Sequence, residues 1–450
     1  MQDRRHELRD ERIARLLLKY STPAVLAMFT NSLYNLVDTI FVGRGAGTLA
    51  LAGLAIAFPI QMFILAIAQV VGIGSASLIS RSLGAGDQRK AERTAGTSFA
   101  TVAVLSALLA TFGLLFLNPI IRLFGATPTV LPYTADYLSI ILLGSFFFAF
   151  AVSSNNIVRA EGNAKVAMIS MMLGAGVNIA LDPVFIFGFG MGIRGAAIAT
   201  VIAQFTSFVF LVGYFWRGNT LLRIRRQDLV PDLSVLPEVF AVGSSSFGRV
   251  AAGSVMSVVL NNSIAHYGGD VHLAILGIVH RVILFVLMPQ FGLVQGLLPI
   301  IGFNYGARNT GRVKEAIGHG ILAATVMSTL GFVLLMGFPK IIFGLFSRDV
   351  ELIGEGACIM RVIVIAMPVI GFQAVGAGLF QAIGKAGPAL FLSMSRQVLF
   401  LVPLILVIPL WLQLAGIWVS FPLADGLSAC VTAGWVLSEM RQLNRMAPKP

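Results

Sequence analysis

The chain has 450 residues, of which 57% are hydrophobic and only 12% charged, and its mean hydropathy is +0.87. Soluble domains carry about a quarter charged residues, so this balance excludes an ordinary water-soluble enzyme and points to an integral membrane protein. The 32 Lys and Arg outnumber 20 Asp and Glu, and where those cations fall decides between a nucleic-acid surface and a membrane surface.

A helix crosses the hydrocarbon with about 20 mostly apolar residues, and the sequence predicts twelve such spans. In chain order they are 17–43, 50–80, 96–118, 134–158, 167–188, 195–216, 236–265, 273–300, 317–339, 352–380, 388–412 and 417–439. A barrel would need short alternating strands instead, because every backbone group in lipid must be paired internally. The charged start "MQDRRHELRDERIARLLLK" runs into the first span without a small-residue cleavage signal and reads as an uncleaved first helix. Cys358 and Cys430 fall in predicted spans and read as core thiols.

Twenty-three of the 32 Lys and Arg lie in the termini and alternate loops. The opposite loops hold only Arg44, Arg122, Arg194, Lys340 and Arg348. The positive-inside rule then puts both termini in the cytoplasm of a cell inner membrane, and the excess charge meets anionic lipid rather than nucleic acid.

The halves repeat. "GAGDQRKAERTAG" from 84 matches "GARNTGRVKEAIG" from 306, "NPIIRLFGAT" from 118 matches "FPKIIFGLFS" from 338, and "RAEGNAKVA" from 159 matches "QAIGKAGPA" from 381. The offset stays near 222, which indicates duplication. Six spans per half return the chain to the same side, so two lobes related by an axis along the membrane normal are predicted. Residues 1–216 form the first lobe with a cation site, 217–235 a polar cytoplasmic linker, and 236–450 the second lobe.

A charge at mid-membrane costs about 2.5–3.5 kcal/mol even on lenient scales, so intramembrane acids are functional candidates. Asp38, Asp182 and Asp425 are placed well inside spans, whereas Glu161 lies at a helix end and Asp136, Glu351 and Glu355 can reach water. Asn31, Tyr34, Asn35 and Asp38 share one helical face. Asn178 sits one turn before Asp182, Pro183 frees nearby carbonyls, and Thr200 adds a hydroxyl from the next helix. Two carboxylates, an amide and a hydroxyl form a hard oxygen set suited to Na⁺ and equally to H⁺, and the choice of ion stays open at this point.

In the local repeat alignment Asn262 stands where the first lobe has Asp38, and Leu404 where it has Asp182, so coupling is expected in the first lobe alone. Asp425 has three readings: a second proton site, a partner for Arg249 or Arg361, or a packing residue. The remaining intramembrane cations are read as Arg281 and Arg396, all four outside the first lobe. Phe58, Tyr137, Asn155 and Met171 join Asn31, Tyr34 and Asn35 as candidates for lining a drug cavity, since 33 Phe and 16 Met supply apolar, polarizable surface.

"YNLVDTIFVG" in the first span, the paired "GAGD" and "GARN" loops, "NIALDPVFIFGFGMGIRGAAIAT" and "GIWVSFPLADG" together resemble the multidrug and toxic compound extrusion family, and most nearly its branch with DinF-like and MepA-like transporters. The resemblance runs from about Ile13 to Glu439. It implies an all-α membrane protein of twelve helices in two six-helix lobes. It also implies a secondary antiporter, functioning as a monomer, that exports cationic aromatic drugs for inward Na⁺ or H⁺ with no cofactor. Asp38, Asn178, Asp182 and Thr200 fall on the positions that form the cation site of family members with such a site.

Other motifs fail for want of context. Gly190, Gly192 and Gly195 spell G-x-G-x-x-G but follow a membrane span and read as an outer turn. Gly384-Lys385 is followed by Ala386 where a Walker motif needs Ser or Thr. The five His show no ligand spacing, and no catalytic triad is evident, so an enzyme is not predicted. Two rival functions remain: a flippase or exporter of lipid-linked or other amphipathic metabolites, which calls for basic residues in the central cavity, and a channel, which calls for a filter-like loop.

Overall fold

The computed structural model describes residues 2–218 and 220–446. A short amphipathic helix, α1 (Gln2–Asp10), leads into α2 (Ile13–Gly45), α3 (Thr48–Gly84), α4 (Gln88–Leu115), the brief α5 (Leu117–Leu123), α6 (Leu131–Ala160), α7 (Ala164–Pro183) and α8 (Gly192–Trp216). After the connection come α9 (Leu236–Tyr267), α10 (Gly269–Gly306), α11 (Thr310–Gly337), the brief α12 (Pro339–Gly344), α13 (Val350–Val364), α14 (Met367–Ile383), α15 (Ala386–Met394), α16 (Val402–Val407) and α17 (Pro409–Met446). Among the described residues no strand occurs. The fold is two six-helix lobes of membrane-spanning helices.

All twelve predicted spans are helical, with refinements that composition could not supply. Among the described residues ten helices are long and apolar enough to cross a membrane alone, and α13 with α14 makes one further span, the tenth in chain order, bent by 46°. The span predicted at 236–265 is the helix Leu236–Tyr267, diluted by Ser244, Ser245, Ser246 and Arg249. The fifth span of each lobe contains a π-helical segment, Val184–Gly188 after Pro183 and Ser395–Leu401 before α16. The break predicted between the last two spans falls at Gln413, whose φ of 47° interrupts α17. The cysteines correct an expectation: Cys358 on α13 and Cys430 on α17 are exposed rather than core.

The face that carries both chain ends also carries most of the Lys and Arg, and is called the basic face here. There the lobes meet closely, because glycines let backbones approach. A Cβ on Gly74 would stand 1.9 Å from the Val239 carbonyl oxygen, and one on Gly243 would stand 1.9 Å from that of Val70. The same reciprocity joins α3 to α10: Gly84 abuts the Phe303 carbonyl at 1.9 Å and Gly306 the Arg81 carbonyl at 2.0 Å. Gly84 and Gly306 are themselves related by the 222-residue offset.

Cross-lobe contact continues inward to Phe29 against Phe285 and Phe63 against Phe247, with ring centroids 5.6 and 6.0 Å apart. Beyond those rings Leu33, Leu36, Ile40 and Phe58 are exposed. The start of the chain reinforces the basic-face seal, since Asn304 donates to the Leu8 carbonyl at 3.1 Å and Arg312 to that of Glu11 at 2.6 Å.

The connection between lobes is pinned to the first lobe. Glu161, wholly buried, accepts hydrogen bonds from the Tyr214 hydroxyl, the Thr220 hydroxyl at 2.6 Å and the Leu221 amide at 2.7 Å. Arg89 pairs with buried Asp228 at 2.8 Å. The Ser234 hydroxyl and amide both donate to Asp232 and hold its carboxyl below the usual carboxylate range.

Candidate functional site: a carboxyl pair inside the first lobe

Three helices converge on one polar cluster. Asp38 comes from the outer half of α2, Asn178 and Asp182 from the last turns of α7, and Thr200 from the third turn of α8. Pro183 lacks a backbone donor, and the next residues loosen into a π turn instead of continuing as α-helix. That irregularity ends α7 with Asp182 facing inward, fully buried, beside Asn178 at 1% exposure. The Asn178 amide donates to Asp182 at 3.2 Å and to the Thr200 hydroxyl at 3.4 Å.

Asp38 is half-buried and its carboxyl lies within hydrogen-bond reach of that of Asp182. Asp38 Oδ1, Asp182 Oδ2 and Asn178 Oδ1 receive no hydrogen bond from any protein donor. Two facing carboxyl groups repel unless a proton or a cation lies between them. The set therefore fits one small monovalent cation: all donors are oxygen, two carry charge, and three oxygens are free of protein partners. Among the described residues no three His, Cys, Asp or Glu side chains gather as a metal centre.

Two tyrosines extend the cluster. Tyr34, one turn before Asp38, interacts electrostatically with both aspartates. Buried Tyr137 on α6 lies near Asp38 and Tyr34 and accepts a hydrogen bond from the Gln61 amide at 3.0 Å. Gln61 is not among the sequence candidates. Its signal is nonetheless present, a lone polar residue in "AFPIQMFILA" three positions after Phe58.

Most of the other candidates lie apart. Asn35 is exposed, donates its amide to the Asn31 carbonyl at 2.7 Å, and also touches the cluster through its side-chain contact with Tyr34. Phe58 is 56% exposed. Met171, half-buried, is eleven residues before Asp182 on the same helix, about 16 Å toward the basic face. Asn155 is buried but lies eighteen residues, about 27 Å, beyond Tyr137 along α6, next to the basic-face seal.

Two readings of intramembrane cations are corrected. Asp425 pairs with Arg396, not with Arg249 or Arg361, because the π segment of the eleventh span turns Arg396 toward α17. The Asp425 backbone carbonyl also accepts from Gln373 at 2.7 Å, and Arg361 instead donates to the Met336 carbonyl at 3.2 Å. The first lobe is also not free of buried cations: Arg159, read as a loop residue, ends α6 at 7% exposure.

Comparison with known proteins agrees with this architecture. The MatE family model matches the chain twice, over residues 23–184 and 246–407. The multidrug export protein MepA of Staphylococcus aureus (strain MSSA476) is 25% identical over 417 residues, 93% of this chain and 92% of that protein. A structure described as that of the MATE multidrug transporter DinF-BH shares 41% identity, a TM-score of 0.88, and coverage of 96% of this chain and 98% of its own. A structure described as the outward-facing conformation of a multidrug resistance MATE family transporter superposes with a TM-score of 0.92 at 26% identity, covering 98% of both chains. The repeated family match, the full-length relatives and the twelve-span fold place this chain in the MatE family of membrane transporters.

Proposed function

We propose that the protein is a secondary multidrug efflux antiporter that exports cationic, aromatic drugs in exchange for an inward monovalent cation, H⁺ or Na⁺. The observation that carries this reading is the Asp38–Asp182 pair, two carboxyls in mutual reach with free oxygens and no basic partner within salt-bridge distance among the described residues. Neutralising such a pair costs little and ionising it invites a cationic ligand, so ion and drug compete through one charge. The relatives named for multidrug export or resistance support drugs as the substrates.

Residues 1–216 then act as the coupling lobe, 217–235 as a cytoplasmic tether and 236–450 as the second wall of the pathway. The basic face is cytoplasmic by the positive-inside rule, the protein sits in the cell inner membrane, and the state with that face sealed is open to the outside. An ion entering from outside neutralises Asp38 and Asp182, with Asn178 and Thr200 completing its oxygen shell, and drug leaves outward. The lobes then separate at the basic face, the ion is released to the cytoplasm, and the regenerated charge favours the next drug cation. The helix irregularity after Pro183 gives α7 a place to change shape with the charge state. Tyr34 and Tyr137 offer aromatic faces beside the charge for a cation to rest on. The protein works as a monomer with no cofactor.

The test is efflux of a fluorescent organic cation from proteoliposomes with Na⁺ and pH gradients imposed separately. Transport driven by one gradient and abolished by Asp38→Asn supports the reading and names the ion. Transport indifferent to both gradients overturns it.

A further inference from the structure

We propose that the basic-face seal contains a binding site for a small inorganic anion, chloride, held by the Arg159 guanidinium on the axis between the lobes. Arg159 is 93% removed from solvent, as its 7% exposure states. Its Nη2 donates to Asn156 at 2.9 Å, and its buried Nε has no hydrogen-bond partner. Among the described residues no carboxylate forms an ion pair with it. A buried cation without a counter-charge is costly, so a group in this state calls for an anion.

A cavity meets the guanidinium, and its walls come in repeat-related pairs. Arg159 stands with Gln381, Ala160 with Ala382, and Ile73 with Gln295, each pair separated by the 222-residue offset. The cavity therefore lies on the pseudo-twofold axis, and the two halves have diverged there: one offers a guanidinium where its mate offers an amide. About 20 Å³ is open to the centre of a water-sized sphere, which is room for one water or one monatomic anion and too little for a drug or a phosphate. Water would fill the space but leave the guanidinium charge uncompensated, whereas chloride answers it. The Ser77 hydroxyl is spent on the Gln381 carbonyl across the lobes, and the Arg159 guanidinium and the Gln295 side chain are among the polar groups that line the cavity.

Since both lobes supply the walls, the site exists only while the lobes meet at the basic face. Chloride then stabilises that state and is released when the lobes part, a linkage independent of the cation at Asp38 and Asp182. None of the residues involved belongs to the carboxyl cluster.

The experiment is thermal unfolding of the purified full-length protein in chloride against gluconate at equal ionic strength, with crystals grown in bromide to locate the anion by anomalous scattering. The wild type should melt about 2–4 °C higher in chloride, with a bromide peak beside Arg159. Arg159→Gln, which installs the amide of the repeat mate, should lose both the shift and the peak. No shift in the wild type, an equal shift in Arg159→Gln, or bromide only at other places overturns the proposal. If Arg159→Gln does not fold, the wild-type shift and the position of the bromide decide the matter alone.

Discussion

Asp182 has two partners in the cluster: one amide hydrogen bond from Asn178, and Asp38 across from it. Asn178→Ala should leave the protein folded and inserted. It should weaken ion-coupled efflux about fivefold or more, because a buried carboxyl stripped of its donor bears a penalty of about 1–3 kcal/mol that the coupling ion must make good; initial efflux rates in proteoliposomes check this. Arg396 and Asp425 form an ion pair in the second lobe, in which Asp425 is buried and Arg396 partly so. Arg396→Met should cost about 3–5 kcal/mol by stranding Asp425, whereas the double change to Met and Leu should recover most of that; melting temperatures of the two variants distinguish the cases. The sequence showed which acids were expensive and placed Asp38, Asn178, Asp182 and Thr200 in one expected cluster. It did not reveal the partner of Asp425, because the π segment that turns Arg396 leaves no mark on composition, nor Gln61, a single amide in an apolar span.

Helix α3 is the element on which the state of the protein turns. Its glycines bring backbone against backbone at Gly74 and Gly84, where a Cβ would approach carbonyl oxygens of the other lobe to 1.9 Å. Gly74→Leu should therefore disfavour the sealed basic face while leaving each lobe intact. Spin labels at Asp87→Cys and Arg308→Cys, with Cys358 and Cys430 replaced, should report a longer distance in that variant than in its parent. At this scale twelve spans were legible because lipid imposes length and apolarity on each. The break near Gln413 was legible as the gap between the last two spans, whereas the 46° bend between α13 and α14 was not, although Pro368 stands at the start of α14. The first helix, Gln2–Asp10, was hidden by its charge, although Leu8 is buried and its carbonyl is tied to Asn304 and Arg312.

The whole molecule combines a symmetric frame with asymmetric chemistry. Reciprocal glycine crossings and paired cavity walls follow the duplication, while the carboxyl pair belongs to one lobe only, since Asn262 and Leu404 occupy the equivalent sequence positions in the other. The duplication was readable because three segments keep one offset. The closure of the basic face was not, because a sequence specifies both states of a rocking protein at once. The central claim is that ion and drug compete through the Asp38–Asp182 pair, and equilibrium binding of an organic cation to the purified protein, titrated with acid and separately with Na⁺, tests it most directly. The account predicts that one of the two ions weakens drug binding at least tenfold in the wild type and that Asp38→Asn abolishes the dependence; wild-type binding indifferent to both ions, or an unchanged dependence in Asp38→Asn, would contradict it.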